Sequence, residues 1–159
     1  MHVPTYICMV RLEDAIKTTK FDNERHRAML NVLYTAWWFK GQANSALKDL
    51  GLTVEQFNVM RILRGKHPQA MCAKDIGSRM IEKSSNVPRI MDKLVAKNYV
   101  IRETSAEDKR ETLHSLTKKG MEVLETASNI VKQTDSEVSG ITDAEAITLN
   151  NILEKLRGN

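Results

Sequence analysis

A chain of 159 residues that is 42% apolar is long enough for one domain with a core and too apolar for a disordered tail. No apolar run approaches the roughly 20 residues of a membrane span, and the first residues, MHVPTYICMV, lack the basic start and long apolar stretch of a secretory signal. The net charge of +4 is uneven: residues 61–119 hold 14 Lys and Arg against 7 Asp and Glu, whereas residues 120–159 hold 3 against 7, an asymmetry that directs a polyanion to the middle third.

Aromatic residues are 5% of the chain and Met is plentiful, a mix commoner in helical proteins than in sandwiches or barrels. A short helix is expected over Tyr6–Thr18. Asp22 then opens a long one, with Met29, Leu30, Leu33, Trp37, Ala43 and Leu47 at helical spacing. Thr53-x-x-Gln56 is a capping box with Leu52 and Phe57 as its hydrophobic staple, and that helix runs to about Arg64, stopped by Gly65 and Pro68. Ala73–Met80 reads as a short helix. The next begins at Ser84 or Ser85, and Ser85 is the better cap because Pro88 then falls within the first turn. On this helix Val87, Ile90, Met91, Leu94 and Val95 share one face; Ser85, Asn86, Arg89, Lys93 and Ala96 share the other. Asn98 suits a left-handed helix end. Tyr99–Arg102 and Thr112–Leu116 read as paired strands, so the five consecutive charges Glu107–Glu111 mark a hairpin tip. Thr117 caps a further helix carrying Met121, Leu124, Ser128 and Val131 on one side. Gly140 ends it, and Thr142-x-x-Glu145 is a second capping box opening a last helix striped with Leu149, Ile152, Leu153 and Leu156.

Helix, short helix, turn, amphipathic helix and basic-tipped hairpin form the winged helix-turn-helix plan, in which the second helix of the motif enters the DNA major groove. Ser85 and Asn86 offer short polar groups at a helix N-terminus, which also favours phosphate. Arg89 has the fork to bridge guanine O6 and N7, and Lys93 reaches a base or a phosphate. An Arg on a thin hairpin suits a narrow, electronegative minor groove.

From Asp22 to Leu156 the chain resembles the MarR-type multiple-antibiotic-resistance regulators. The resemblance is carried by Leu52-Thr53-x-x-Gln56-Phe57, by the stretch Ser85–Leu94, and by Asp108-Lys109-Arg110 followed by Leu116-Thr117-x-x-Gly120. It implies a mainly helical fold: a winged helix-turn-helix lobe with a two-stranded wing over residues 51–119, and a helical dimerisation region formed by residues 1–50 and 120–159. It implies a homodimeric transcription regulator on a pseudo-palindromic operator, with repression as the expected output. Arg110 would enter the minor groove beside Lys109 while Asp108 holds the wing in shape. A small aromatic or phenolic effector is a further implied partner, and Tyr34, Trp37 and Trp38 are candidates for its pocket, with dimer core the competing role. Two positions depart from the pattern: Asn98 stands where the family commonly has Gly, and Pro88 replaces a small polar residue, which removes one contact to DNA.

Other chemistry finds little support. Ser45-x-x-Lys48 and Ser115-x-x-Lys118 match an acyl-transfer spacing without the partner motifs it uses. His2, His26, His67 and His114 lack metal-ligand spacing, and no glycine-rich phosphate loop occurs; no enzyme, metal or cofactor is expected. The two cysteines, Cys8 and Cys72, form no Cys-x-x-Cys pair and fit a reducing cytoplasm. Two alternatives stay open: a thiol-based redox regulator acting through Cys8, with Cys72 near a helix start where a thiol's pKa is lowered, and a winged helix used for protein contacts.

Overall fold

The computed structural model describes residues 10–82, 86–138 and 140–158, without the side chains of 135–138. The elements in chain order are α1 (Leu12–Ala15), α2 (Glu24–Leu47) with a 3-10 turn at Lys48–Leu50, α3 (Val54–Arg64), β1 (Met71–Cys72), α4 (Ala73–Arg79), α5 (Val87–Ala96), β2 (Val100–Thr104), β3 (Thr112–Leu116), α6 (Lys118–Val138) and α7 (Asp143–Leu156).

Caps set most of the boundaries. The Asn23 side chain accepts the His26 N–H at 3.0 Å, so α2 begins at Glu24 and Asp22 lies outside it. Of the helix expected over Tyr6–Thr18, residues 6–9 lie outside the described part, and α1 is one turn followed by Lys17 at φ 54°. Both capping boxes are formed. Thr53 accepts from Gln56 N–H while Gln56 accepts from Thr53 N–H, and Thr142 and Glu145 repeat the exchange. Each box satisfies two donors that a helix start would otherwise leave open.

The wing hairpin pairs β2 with β3 from Val100↔Leu116 to Thr104↔Thr112. A third strand, β1, pairs with the other edge of β3 through Met71↔His114 and Cys72↔Leu113, giving the order β1-β3-β2. Two residues are too few to show a strand period, so the sequence betrays only the hairpin.

The core gathers Phe57, Met60 and Leu63 of α3, Ile76 of α4, Met91 and Leu94 of α5, Val100 and Leu116 of the sheet, and Leu124 and Ala127 of α6. Leu47 anchors the end of α2 in it. By contrast α7 buries none of its residues, and Met29, Leu33 and Trp37 stand exposed along α2.

Candidate nucleic-acid interface

Asn86 stands at the N-cap position of helix α5, with Pro88 at the second helical position. The expected cap, Ser85, is therefore one residue too early: proline lacks an N–H and is tolerated where helical partners are missing anyway. Ser84 and Ser85 lie outside the described residues. The two faces of α5 separate as the spacing predicts, with Val87, Ile90, Met91 and Leu94 buried and Asn86, Arg89, Lys93 and Ala96 exposed. Asn98 takes φ 58°, the left-handed conformation that ends the helix and turns the chain into β2. Arg102 on β2 pairs with Asp92 on α5 at 3.0 Å, tying wing to helix. Asn86, Arg89 and Lys93 border a cleft of about 400 Å³ whose far wall carries Thr53, Glu55 and Gln56.

The wing tip is a folded turn. Ser105, buried, accepts the N–H groups of Glu107 at 3.2 Å and Asp108 at 3.3 Å. The ends close through Ser105 N–H to Glu111 O and Glu111 N–H to Asp108 O, both 2.9 Å. Asp108 Oδ1 accepts the Arg110 backbone N–H at 2.9 Å and its Nε at 3.3 Å. These bonds hold the Asp108 carboxyl below its usual range, the backbone bond contributing most. One carboxylate thus fixes both the turn and the direction of the Arg110 side chain, which is 91% exposed. Lys109 is exposed beside it.

Leu116-Thr117-x-x-Gly120 forms the joint between wing and α6. Thr117 Oγ1 lies 2.8 Å from Asn98 O and accepts the Gly120 N–H at 2.9 Å, and the Thr117 N–H donates to Tyr99 O at 3.0 Å. Gly120 is required there because a Cβ would stand 2.1 Å from Tyr99 O.

The remaining candidates scatter. Tyr34 and Trp37 form one ring pair at 5.6 Å and Trp38 and Phe39 another at 5.1 Å. Trp37 is 68% exposed. Cys72 is buried at the start of α4, and burial raises its thiol pKa. The lowering expected from the helix start is overcome, because desolvation opposes the thiolate more than the local N–H groups favour it. Cys8 lies outside the described residues. Ser45 sits within α2 and Ser115 on β3. Among the described residues no three His, Cys, Asp or Glu side chains gather as metal ligands.

Two side chains here escaped sequence reasoning. His114 is buried on β3, its Nδ1 without a hydrogen-bond partner among the described residues, and lines a cleft of about 360 Å³ with Cys72, Arg102 and Arg110. Lys40, on α2, pairs with Glu55 at 2.9 Å and Glu82 at 2.8 Å. Sequence separation hides both: each depends on neighbours brought in by the fold.

The family profile described as transcriptional regulator SarA/Rot matches residues 43–127. The chain is 33% identical over 107 residues to the HTH-type transcriptional regulator YkoM of Bacillus subtilis, covering 65% of this chain and 68% of that protein. It is 32% identical over 110 residues to the HTH-type transcriptional regulator SarZ of Staphylococcus saprophyticus, covering 69% and 73%. In fold it matches a mutant MarR from E. coli complexed with operator DNA, with TM-score 0.74 and 24% identity over 87% of this chain and 99% of that one. The Staphylococcus aureus MepR–DNA complex matches with TM-score 0.71 and 20% identity over 87% and 98%. YkoM and SarZ are HTH-type transcriptional regulators, the MarR and MepR structures share the winged-helix fold, and the chain belongs to the SarA/Rot family of transcriptional regulators.

Proposed function

We propose that the chain binds double-stranded DNA as a homodimer on a pseudo-palindromic operator and represses transcription there until a small aromatic or phenolic effector releases it. In this reading α5 lies in the major groove, where Asn86 and Arg89 meet base edges and Lys93 a base or phosphate. Ser85 belongs to the same contact by its place in the sequence. The wing presents Lys109 and Arg110 to the backbone and minor groove. The single observation carrying the reading is the Asp108–Arg110 turn: a backbone bond of 2.9 Å and a side-chain bond of 3.3 Å aim an exposed arginine outward from the wing. A solvated turn has no need of such aim.

The dimer is supported by apolar surface that one chain leaves wet. Leu149, Ile152 and Leu156 on α7 and Met29, Leu33 and Trp37 on α2 are all exposed, and covering one such side chain is worth about 1.5–3 kcal/mol. A second copy is the expected cover, and an effector site at Tyr34, Trp37 and Trp38 requires that copy to close it.

Gel-shift titration over a range of salt tests the reading. Binding should weaken linearly in log–log form, with a slope of about −0.9 per neutralised phosphate, and more tightly bound operator should stand out from random duplex. A winged helix serving protein contacts alone would show neither.

A further inference from the structure

One face of α2 turns toward the lobe formed by α3 to β3, and Lys40, Asn44 and Leu47 lie along it at helical spacing. Leu47 is fully buried in the core. Asn44 Oδ1 accepts the Val54 N–H at 3.1 Å, satisfying a first-turn donor of α3. Lys40 reaches further. Its Nζ stands 2.9 Å from Glu55 Oε1 on α3, and 2.8 and 3.1 Å from the two oxygens of Glu82 in the turn between α4 and α5. One ammonium therefore joins the long helix, the first helix of the DNA-binding lobe, and the segment that follows α4. Hydrogen bonding to Lys40 holds the Glu55 carboxyl below its usual range, and the same bonds, that to Glu82 foremost, raise Lys40.

Glu55 and Glu82 also border the cleft that carries Asn86, Arg89 and Lys93. Without Lys40 the ammonium that neutralises both carboxylates is lost, and Glu55 and Glu82 repel. Glu82, 63% exposed on its turn, is the one that yields. Asn44 and Leu47 would still dock α2 on α3, so the lobe stays folded while the approach to α5 loosens.

We propose that Lys40 is a positioning residue for operator recognition: it fixes α5 relative to α2 and so sets the half-site separation the dimer accepts. This rests on the reading of the chain as a dimeric DNA-binding regulator. Half-sites for such dimers lie about 34–36 Å apart, and the two copies of α5 hold that spacing only if each is fixed to the helix that joins the dimer.

The test begins with operator selected from random duplexes by the full-length wild-type chain. Affinities are then measured for duplexes at the selected half-site spacing and at one base pair more or less. An exposed ion pair is worth about 1.4- to 5-fold, and two pairs meet at Lys40, so Lys40→Met should lose about 2- to 30-fold at the selected spacing. It should also discriminate less between spacings. Lys40→Arg, which keeps a donor fork and the charge, should retain most of both. Adding Glu82→Gln to Lys40→Met should bring no further loss, because the tie is already gone. In the free protein, amide exchange of residues 80–82 should quicken in Lys40→Met and not in Lys40→Arg. A wild-type chain that selects no duplex would overturn the operator-binding reading and this role with it. A wild-type chain that selects one, beside a Lys40→Met chain with unchanged spacing preference, would overturn the role of Lys40 alone.

Discussion

Gly120→Ala isolates the joint between wing and α6. The added Cβ would lie 2.1 Å from Tyr99 O, 2.9 Å from Tyr99 C and 3.1 Å from Tyr99 Cα, where ordinary contact begins at 3.4 Å. All three atoms are backbone, so no side chain can swing aside. Tyr99 itself is fixed at both ends: its N–H donates to Leu94 O at 3.0 Å and its carbonyl accepts from Thr117 N–H at 3.0 Å. Overpacking costs about 1–3 kcal/mol, and losing the Thr117 bond adds about 0.5–1.5 kcal/mol. Alanine's helix preference over glycine returns about 0.5–1 kcal/mol. The clash wins, leaving a destabilisation of about 1–3 kcal/mol and a Tm lower by about 2–12 °C for a chain of this size. Thermal unfolding followed by circular dichroism, at fixed protein concentration because dimerisation is linked to stability, measures it. Gly41→Ala is the control: it lies within α2 and a Cβ there meets nothing within 4 Å, so it should be neutral or stabilising. A Gly120→Ala chain as stable as wild type would refute the joint.

His114 makes stability fall with acid. Burial holds its imidazole pKa below the ordinary 6.5, with Arg102 acting in the same direction and Met71 and Asp92 against it. The folded ring stays neutral while the unfolded chain takes up a proton, so its contribution is complete above pH 6.5 and shrinks as pH falls below it. The slope is at most about 1.4 kcal/mol per pH unit. Urea unfolding between pH 7.5 and 5 should show that slope reduced in His114→Gln, and an unchanged slope would exclude His114 as its source. Replacing exposed Ile152 and Leu156 of α7 by Glu should shift the chain to monomer by light scattering, with its helical circular dichroism kept. A dimer that persists would place the interface elsewhere. Arg89→Ala should cost about 1–3 kcal/mol on the preferred operator and flatten discrimination among sites; equal losses on random duplex would make it a phosphate contact instead.

Local rules made much of this chain legible from its sequence. Both capping boxes, the two faces of α5, the left-handed Asn98 and the β2–β3 hairpin depend on residues within a few positions of one another. Features with a distant partner or a short segment leave no such local trace. β1 has two residues, and the α5 cap fell one residue later than expected. Gly120 read as a motif position, but its reason is the Tyr99 backbone. Ser105 and His114 lie in a charged hairpin and carry no local signal of burial, yet both are buried. Lys40 gave no signal, since its partner Glu82 is 42 residues away. Among the site residues, Asp108 and Arg110 were singled out by the family resemblance, and the structure adds that they meet within one turn.

A double-mutant cycle on operator affinity at moderate salt tests the Asp108–Arg110 pair most directly. Coulomb attraction alone predicts that Asp108→Ala, by removing a negative charge beside DNA, tightens binding. Pre-orientation predicts the reverse: fixing one long side chain on binding costs about 0.5–1.5 kcal/mol, or about 2- to 13-fold in Kd, and Asp108 already holds Arg110 through the bonds at 2.9 and 3.3 Å. We expect Asp108→Ala to weaken binding despite the gain in net charge, Arg110→Ala to weaken it more, and the double variant to lose less than the sum. Binding by Asp108→Ala tighter than wild type would contradict the account and leave Asp108 an ordinary solvated charge.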